Sequence, residues 1–258
     1  MLIGLLTLAF LLFGRGHETF LLNPELPKSV NIYVKDKERK KEIDSLIKQV
    51  EKTQVAFEKK MKGVYEKKLV SLNMSRSSVP ADFQSEYELF YKDLNVLTTG
   101  YVDDELKIRS FIHPAEWDSI MNKLAKTPDN EKAQKGLSAE NKKLHDKLLA
   151  TCNKYIPVPA DKATAGNLLD GFEKKCDSLG NAFLNLNYRY LQIIRPYNTP
   201  RADFLQIRDQ MARERQSYSS YLVNMRFKLL AITPEKNWEN LAKELNSVFT
   251  DIVPGASK

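Results

Sequence analysis

Apolar residues recur at steps of three and four along nearly the whole chain after Lys35, the spacing that lines one face of an α-helix. The first such stretch, Asp36 to Arg76, carries Ile43, Leu46, Ile47, Val50, Phe57, Met61, Val64 and Leu72. Ser77-Ser78-Val79-Pro80 interrupts it; proline suits the first turn of a new helix, with a serine before it as cap. The next stretch presents Phe83, Tyr87, Phe90, Leu94, Leu97, Tyr101 and Ile108, with Gly100 as a weak point that would mark a bend. His113-Pro114 opens a short helix through Trp117, Ile120, Met121 and Leu124. The polar residues from Thr127 to Gly136 read as a connection, followed by a helix with Leu137, Leu144, Leu148 and Tyr155 and ended by Pro157 and Pro159. A third long stripe has Leu168, Phe172, Cys176, Leu179, Phe183, Leu186, Tyr190 and Ile193. After Pro196 and Pro200 a fourth has Phe204, Ile207, Met211, Tyr218, Leu222, Met225 and Leu229, and Thr233-Pro234 opens a last helix through Trp238, Leu241, Leu245 and Val248. No segment alternates with period two long enough to require a strand; Ile32-Tyr33-Val34 reads as a short extended piece at most. The fold class expected is all-α.

The N-terminus breaks this amphipathic pattern. Leu2 to Phe13 is apolar except for Gly4 and Thr7, and a second apolar patch, Thr19 to Leu22, follows Arg15 and Glu18. Twelve helical residues reach ~18 Å, short of a ~30 Å hydrocarbon core. Three readings fit. A cleaved signal peptide has small residues, Gly14 and Gly16, at suitable spacing but lacks a preceding basic residue. An uncleaved anchor uses Leu2 to Leu22 with Arg15 reaching the interface. A buried N-terminal core helix is the third. The expectation taken forward is attachment to a membrane, single-pass or signal-anchored, with the side of the soluble body left open by the charge pattern.

Two parts of the body resemble each other. Ala81-Asp82-Phe83 and Ala202-Asp203-Phe204 are the same tripeptide, and each phenylalanine precedes a tryptophan by 34 positions. Trp117 and Trp238 are the only two tryptophans, and after each come an acid, a small polar residue, Ile or Leu, and a Leu seven positions on. The offset is 121 over these helices and 122 over the long helices before them, where Leu46 falls on Leu168, Val50 on Phe172, Phe57 on Leu179, Met61 on Phe183 and Val64 on Leu186. One residue of loop difference reconciles the two. Phe83, Trp117, Phe204 and Trp238 thus define two related antiparallel three-helix units, each tryptophan capping its bundle. The expected organisation is a hydrophobic anchor or signal segment over 1–23, a juxtamembrane linker over 24–35, a helical unit over 36–126, a connecting segment with one helix over 127–159 and a second unit over 160–253.

Composition narrows the chemistry. Two cysteines in 258 residues exclude a disulfide scaffold and a Cys-rich zinc module. An antiparallel hairpin at Pro157-Pro159 would leave Cys152 and Cys176 ~15 Å out of register, too far for a bridge. His17, His113 and His145 lie near no metal-ligand partner; His113 suits a turn or cap, and His145 sits in a charged, solvated helix. Asp103-Asp104-Glu105 are neighbours whose side chains diverge on a helix. No nucleophile elbow, phosphate loop or dinucleotide fingerprint occurs, so no catalytic residue, metal or cofactor is assigned.

The charge is unevenly placed. The net charge is +7, and residues 35–68 hold 12 Lys+Arg against 7 Asp+Glu, a surplus of five. Lys37, Arg39, Lys40, Lys41 and Lys48 form one candidate membrane or partner surface, and Arg201, Arg208 and Arg215 another. The competing view of both is a solvated face carrying salt bridges. The functional expectation is a non-catalytic, membrane-tethered scaffold or adaptor of the cell envelope that binds a protein partner or a membrane surface. The rival is a basic module for anionic lipid or nucleic acid, the latter weakened by interspersed acids and the lack of a reading motif. A helical enzyme with a dispersed site is the third.

Overall fold

The computed structural model describes residues 21, 23–124 and 130–252. The protein is an all-α helical bundle, with no strand among the described residues. Helix α1 (Leu26–Tyr33) precedes α2 (Lys37–Lys60), which runs through a π-helical turn (Met61–Glu66) into α3 (Lys67–Met74). Then come α4 (Pro80–Ser110), α5 (Pro114–Leu124), α6 (Asn130–Tyr155), α7 (Pro159–Ile194), α8 (Arg201–Ile232) and α9 (Glu235–Ile252).

Local chemistry sets the breaks. Asp36 accepts from the Arg39 N–H and caps α2. Pro80, Pro114 and Pro159 each occupy the first position of a helix, where the missing N–H costs nothing. Ser78 does not cap α4: its hydroxyl turns back to the Leu72 carbonyl at 2.8 Å, and Asp82 accepts the Val79 N–H at 2.8 Å instead. Glu116 does the same for His113, at 2.9 Å, so His113 is the turn residue the sequence suggested.

The long helices pack antiparallel. Gln54–Tyr101 and Tyr65–Asp93 join the α2–α3 rod to α4. Asp103–Arg201 and Tyr91–Ser219 join α4 to α8, Cys176–Tyr218 and Arg189–Gln210 join α8 to α7, and Asn141–Asp177 joins α7 to α6. Helix α9 packs on both α6 and α3, and α1 packs on α5.

Nearly all predicted stripe positions of α4, α7 and α8 are buried, with Leu168 and Ile193 only half-buried and their neighbours Leu169 and Ile194 taking the core places. Three expectations need correcting. Val64 is half exposed, and Tyr65 and Leu69 take its face. The π turn carries more residues per turn than an α-helix, so buried positions advance in steps of four from Phe57 to Met61, Tyr65, Leu69 and Asn73 without leaving the core. The connection drawn from Thr127 to Gly136 is helical from Asn130, and its first residues lie outside the described ones. Ile32 and Tyr33 end helix α1 and only Val34 is extended.

No helix among the described residues is long and apolar enough to cross a membrane. The apolar run from Leu2 to Phe13, on which the tether rests, lies outside the described residues.

Candidate interaction surface

Helix α2 turns two different faces outward and inward. Ile43, Leu46, Ile47, Val50, Gln54 and Phe57 are buried. On the opposite side, Lys37, Lys41, Lys48, Lys52, Val55 and Lys59 are exposed and within about 40° of one line down the helix. The stripe is ~33 Å long at 1.5 Å per residue. Its C-terminal half is a shallow depression lined by Lys48, Glu51, Lys52, Val55, Ala56 and Lys59. None of these lysines takes part in a salt bridge among the described residues. Lys60 and Lys68, by contrast, turn toward α4 and pair with Asp93 and Glu86. Asp93 receives Lys60 and the Tyr65 hydroxyl across the π turn, and those two hydrogen bonds hold its carboxyl below the usual range.

The eight basic residues selected from sequence separate into two groups. Lys37, Lys41 and Lys48 stay on the open face of α2, and sequence reasoning missed Lys52 and Lys59, which continue it one and three turns on. Lys40 bends back to the Asn31 carbonyl at 2.9 Å. Arg39 is largely withdrawn: both its terminal nitrogens grip Glu116, at 2.6 and 3.0 Å, and one reaches the Phe111 carbonyl. That grip pulls the Glu116 carboxyl down to about 2.

The Arg201, Arg208 and Arg215 surface does not survive as drawn. Arg201 and Arg208 point at α4, because α8 lies antiparallel against it. Arg201 pairs with Asp103 at 2.6 Å and Arg208 reaches Thr99. Arg215 is buried, lies over the Phe183 ring at 5.4 Å, and is pushed down to about 10 by desolvation. A buried guanidinium offers nothing to a partner. These bridges fill one end of the α4–α8 seam; the other end opens as a cleft of 1130 Å³ over Tyr87, Tyr91, Ser219 and Phe227.

Each tryptophan is buried beside an arginine that sequence reasoning did not single out. Trp117 donates to the Ile194 and Arg195 carbonyls at the end of α7, at 3.2 and 3.1 Å. Arg109 lies over Trp117 and Phe204, donates to the Pro196 and Tyr197 carbonyls, and pairs with buried Glu105 at 2.8 Å. Glu105 also accepts from Tyr190 at 2.5 Å, and burial raises its carboxyl. At the other end Arg226 lies over Trp238 and Phe83 and donates to the Leu72, Asn73 and Ser75 carbonyls at the end of α3. Among the described residues no carboxylate joins it in a salt bridge and its Nε and Nη1 and the Trp238 Nε1 have no hydrogen-bond partner; burial pushes it down to about 10.

Cys152 and Cys176 are free, buried thiols, each pushed up to about 12 by burial. His145 is not solvated as expected: α6 packs it against α7, where Nε2 meets Asp170 at 2.9 Å. Asp103 and Glu105 serve different partners, as their divergence on α4 required. No group of three or more His, Cys, Asp or Glu side chains positioned to hold a metal occurs among the described residues. No family model, curated protein or solved structure matches this chain.

Proposed function

We propose that the protein is a non-catalytic scaffold, tethered to a membrane by its apolar N-terminal run, that offers the lysine face of α2 to an acidic partner. The observation that carries this reading is the contrast in how cations are used. Arg39, Arg201, Arg109 and Arg226 are engaged by Glu116, Asp103, Glu105 and helix-end carbonyls, whereas Lys37, Lys41, Lys48, Lys52 and Lys59 are left in one exposed row. Such a row raises the local concentration of an anionic partner and does little for the stability of the bundle. Fractionation of the full chain tests the tether. Retention in the membrane after a high-salt wash supports it; release by salt leaves only a charged contact, and recovery in the soluble fraction overturns it.

We also propose that residues 26–124 and 148–252 are two related units. At an offset of 122, buried Leu26, Ser29, Val30 and Val34 fall on buried Leu148, Thr151, Cys152 and Ile156. The same offset sets Ile47, Val50, Phe57 and Met61 on Leu169, Phe172, Leu179 and Phe183. Beyond the π turn the offset becomes 121: Tyr65, Leu69 and Asn73 fall on Leu186, Tyr190 and Ile194. In this reading the extra residue of the first unit belongs to the π turn itself, which is what one insertion into an α-helix produces, and not to the loop before α4. The pairing of Val64 with Leu186 is accordingly replaced by Tyr65 with Leu186.

A further inference from the structure

The seam between α4 and α8 closes differently at its two ends. At one end Arg201 pairs with Asp103 and Arg208 reaches Thr99, so side chains staple the helices together. At an offset of 121 the matching residues at the other end are Pro80, Asn224, Tyr87 and Ser220. All four line the cleft of 1130 Å³. Pro80 and Asn224 cannot form an ion pair, and the Tyr87 hydroxyl has no hydrogen-bond partner among the described residues. The floor of the cleft is aromatic. Tyr87 and Tyr91 are buried one turn apart with their rings near parallel, at 6.0 Å between centroids and 23° between planes. Tyr91 is satisfied: it donates to the Arg215 carbonyl at 2.9 Å and meets Ser219 at 2.5 Å. Tyr87 is only 6% exposed and lacks any such contact. The charged lining residues, Glu88 and Lys92, are both exposed, and Glu88 is taken by Gln84 at 2.9 Å.

We propose that this cleft binds an uncharged, ring-bearing carbonyl compound, an aryl ketone or quinone in chemical class, whose rings lie on the Tyr87–Tyr91 platform and whose oxygen accepts the Tyr87 hydroxyl. Each part of that description comes from the lining. A buried phenol without a partner forgoes the hydrogen bond it makes to water when unfolded, and a carbonyl oxygen restores it. Near-parallel rings favour a flat partner in offset contact. A cleft of this volume takes a ligand of several rings. A phosphate or carboxylate would lose its hydration on the aromatic floor with no buried cation among the lining residues to meet it. A partner helix is a poorer fit, because its backbone carbonyls are already bonded within it. The comparison of the two seam ends rests on the two-unit reading; the chemistry of the lining stands without it.

The probe is benzophenone, which has two rings, no charge and one ketone, and which ultraviolet light inserts into neighbouring C–H bonds. The full chain in neutral detergent is irradiated at increasing benzophenone, and the labelled peptides are located by mass spectrometry. The expected result is saturable labelling within residues 80–96 and 216–227. Tyr87→Phe keeps the ring and removes the donor, and should weaken labelling about threefold to tenfold. Ser220→Trp fills the opening from an exposed position and should weaken it about tenfold or more. Circular dichroism checks that both variants keep their fold. Fluorenone should protect the cleft at about tenfold lower concentration than fluorene, which lacks the oxygen. Equal protection by the two overturns the carbonyl assignment. Stronger labelling by 4-benzoylbenzoate than by benzophenone overturns the uncharged class. Labelling that does not saturate, or that Ser220→Trp leaves unchanged, overturns the site. Saturable labelling only after removal of residues 1–20 overturns it in favour of the chain's own N-terminus as occupant. If the two-unit reading alone is wrong, shortening the π turn by one residue unfolds the protein while the intact chain is still labelled in the cleft. If only this inference is wrong, the shortened chain folds and labelling of the cleft does not saturate.

Discussion

Trp117 and Trp238 occupy matching surroundings, yet the guanidinium beside each is balanced differently. Arg109 is paired with a buried carboxylate and its tryptophan is fully bonded. Among the described residues Arg226 has helix-end carbonyls alone, and its tryptophan N–H has no partner. On the proposed two-unit reading, position 105, which supplies the glutamate in the first half, falls at an offset of 121 on Arg226 itself. The shared part is therefore geometric: a cation over an aromatic pair at the negative end of a long helix, which the helix dipole favours. The carboxylate is an addition that one half has and the other lacks.

The comparison can be broken most directly at the long helices. Deleting Gly63 from the π turn removes one residue from a turn that already holds one too many, so the fold and most of the stability should remain, with a loss within ~2 kcal/mol. Deleting Thr53 from regular α2 rotates everything beyond it by ~100° and should abolish cooperative unfolding. Equal damage from both, measured by circular dichroism and urea titration, would mean the π turn is not the extra residue.

Next in size are the rings. Trp117→Ala and Trp238→Ala should each cost ~3–5 kcal/mol, because both side chains are fully buried. A loss within measurement error at either would show that its cap is dispensable. The arginines then sharpen the contrast. Arg109→Met strands Glu105 and should cost ~3–5 kcal/mol, whereas Arg226→Met leaves only carbonyls unserved and should cost ~1–3 kcal/mol. Adding Glu105→Gln should recover part of the first loss and none of the second. Equal losses from the two arginines would erase the electrical difference.

The smallest effect is a pH dependence at the Arg39–Glu116 pair. Glu116 is held at about 2 by Arg39 against an ordinary 4.5. A carboxyl lowered in the folded state stabilises above its unfolded value and loses that contribution as pH falls toward its folded one. The Arg39 contact should therefore supply on the order of 2 kcal/mol at neutral pH, lost between about pH 5 and pH 2. Glu116→Gln should flatten that part of the stability curve; an unchanged acid limb would mean the pair is already broken in solution.

Much of this bundle was legible in periodicity, because steps of three and four report which face of a helix is buried whatever it is buried against. That is why the stripes of α4, α7 and α8 and the breaks at Pro80, Pro114 and Pro159 read correctly. Periodicity reports nothing about charge partners. Arg215, Arg226 and His145 look like solvent-facing residues in sequence, and only the antiparallel register of α8 on α4, or α6 on α7, gives each its buried place. The π turn was hidden for another reason: a four-residue step is ordinary in an α-helix, and only four such steps in a row after Phe57 betray it. The lysine face was partly legible, since Lys37, Lys41 and Lys48 were seen but Lys52 and Lys59 merge into a general excess of charge.

Both cysteines belong to α6 and α7, and the described first half contains none. Their thiols are sealed from water and pushed far above the pH at which alkylating reagents attack quickly. Covalent labelling of the native protein must wait until α6 or α7 leaves its neighbours, α8 included, so the rate of thiol modification times the opening of the second half. The molecule thus carries a clock on one of its halves, and comparing it with whole-protein unfolding measures whether the two halves come apart together or in turn.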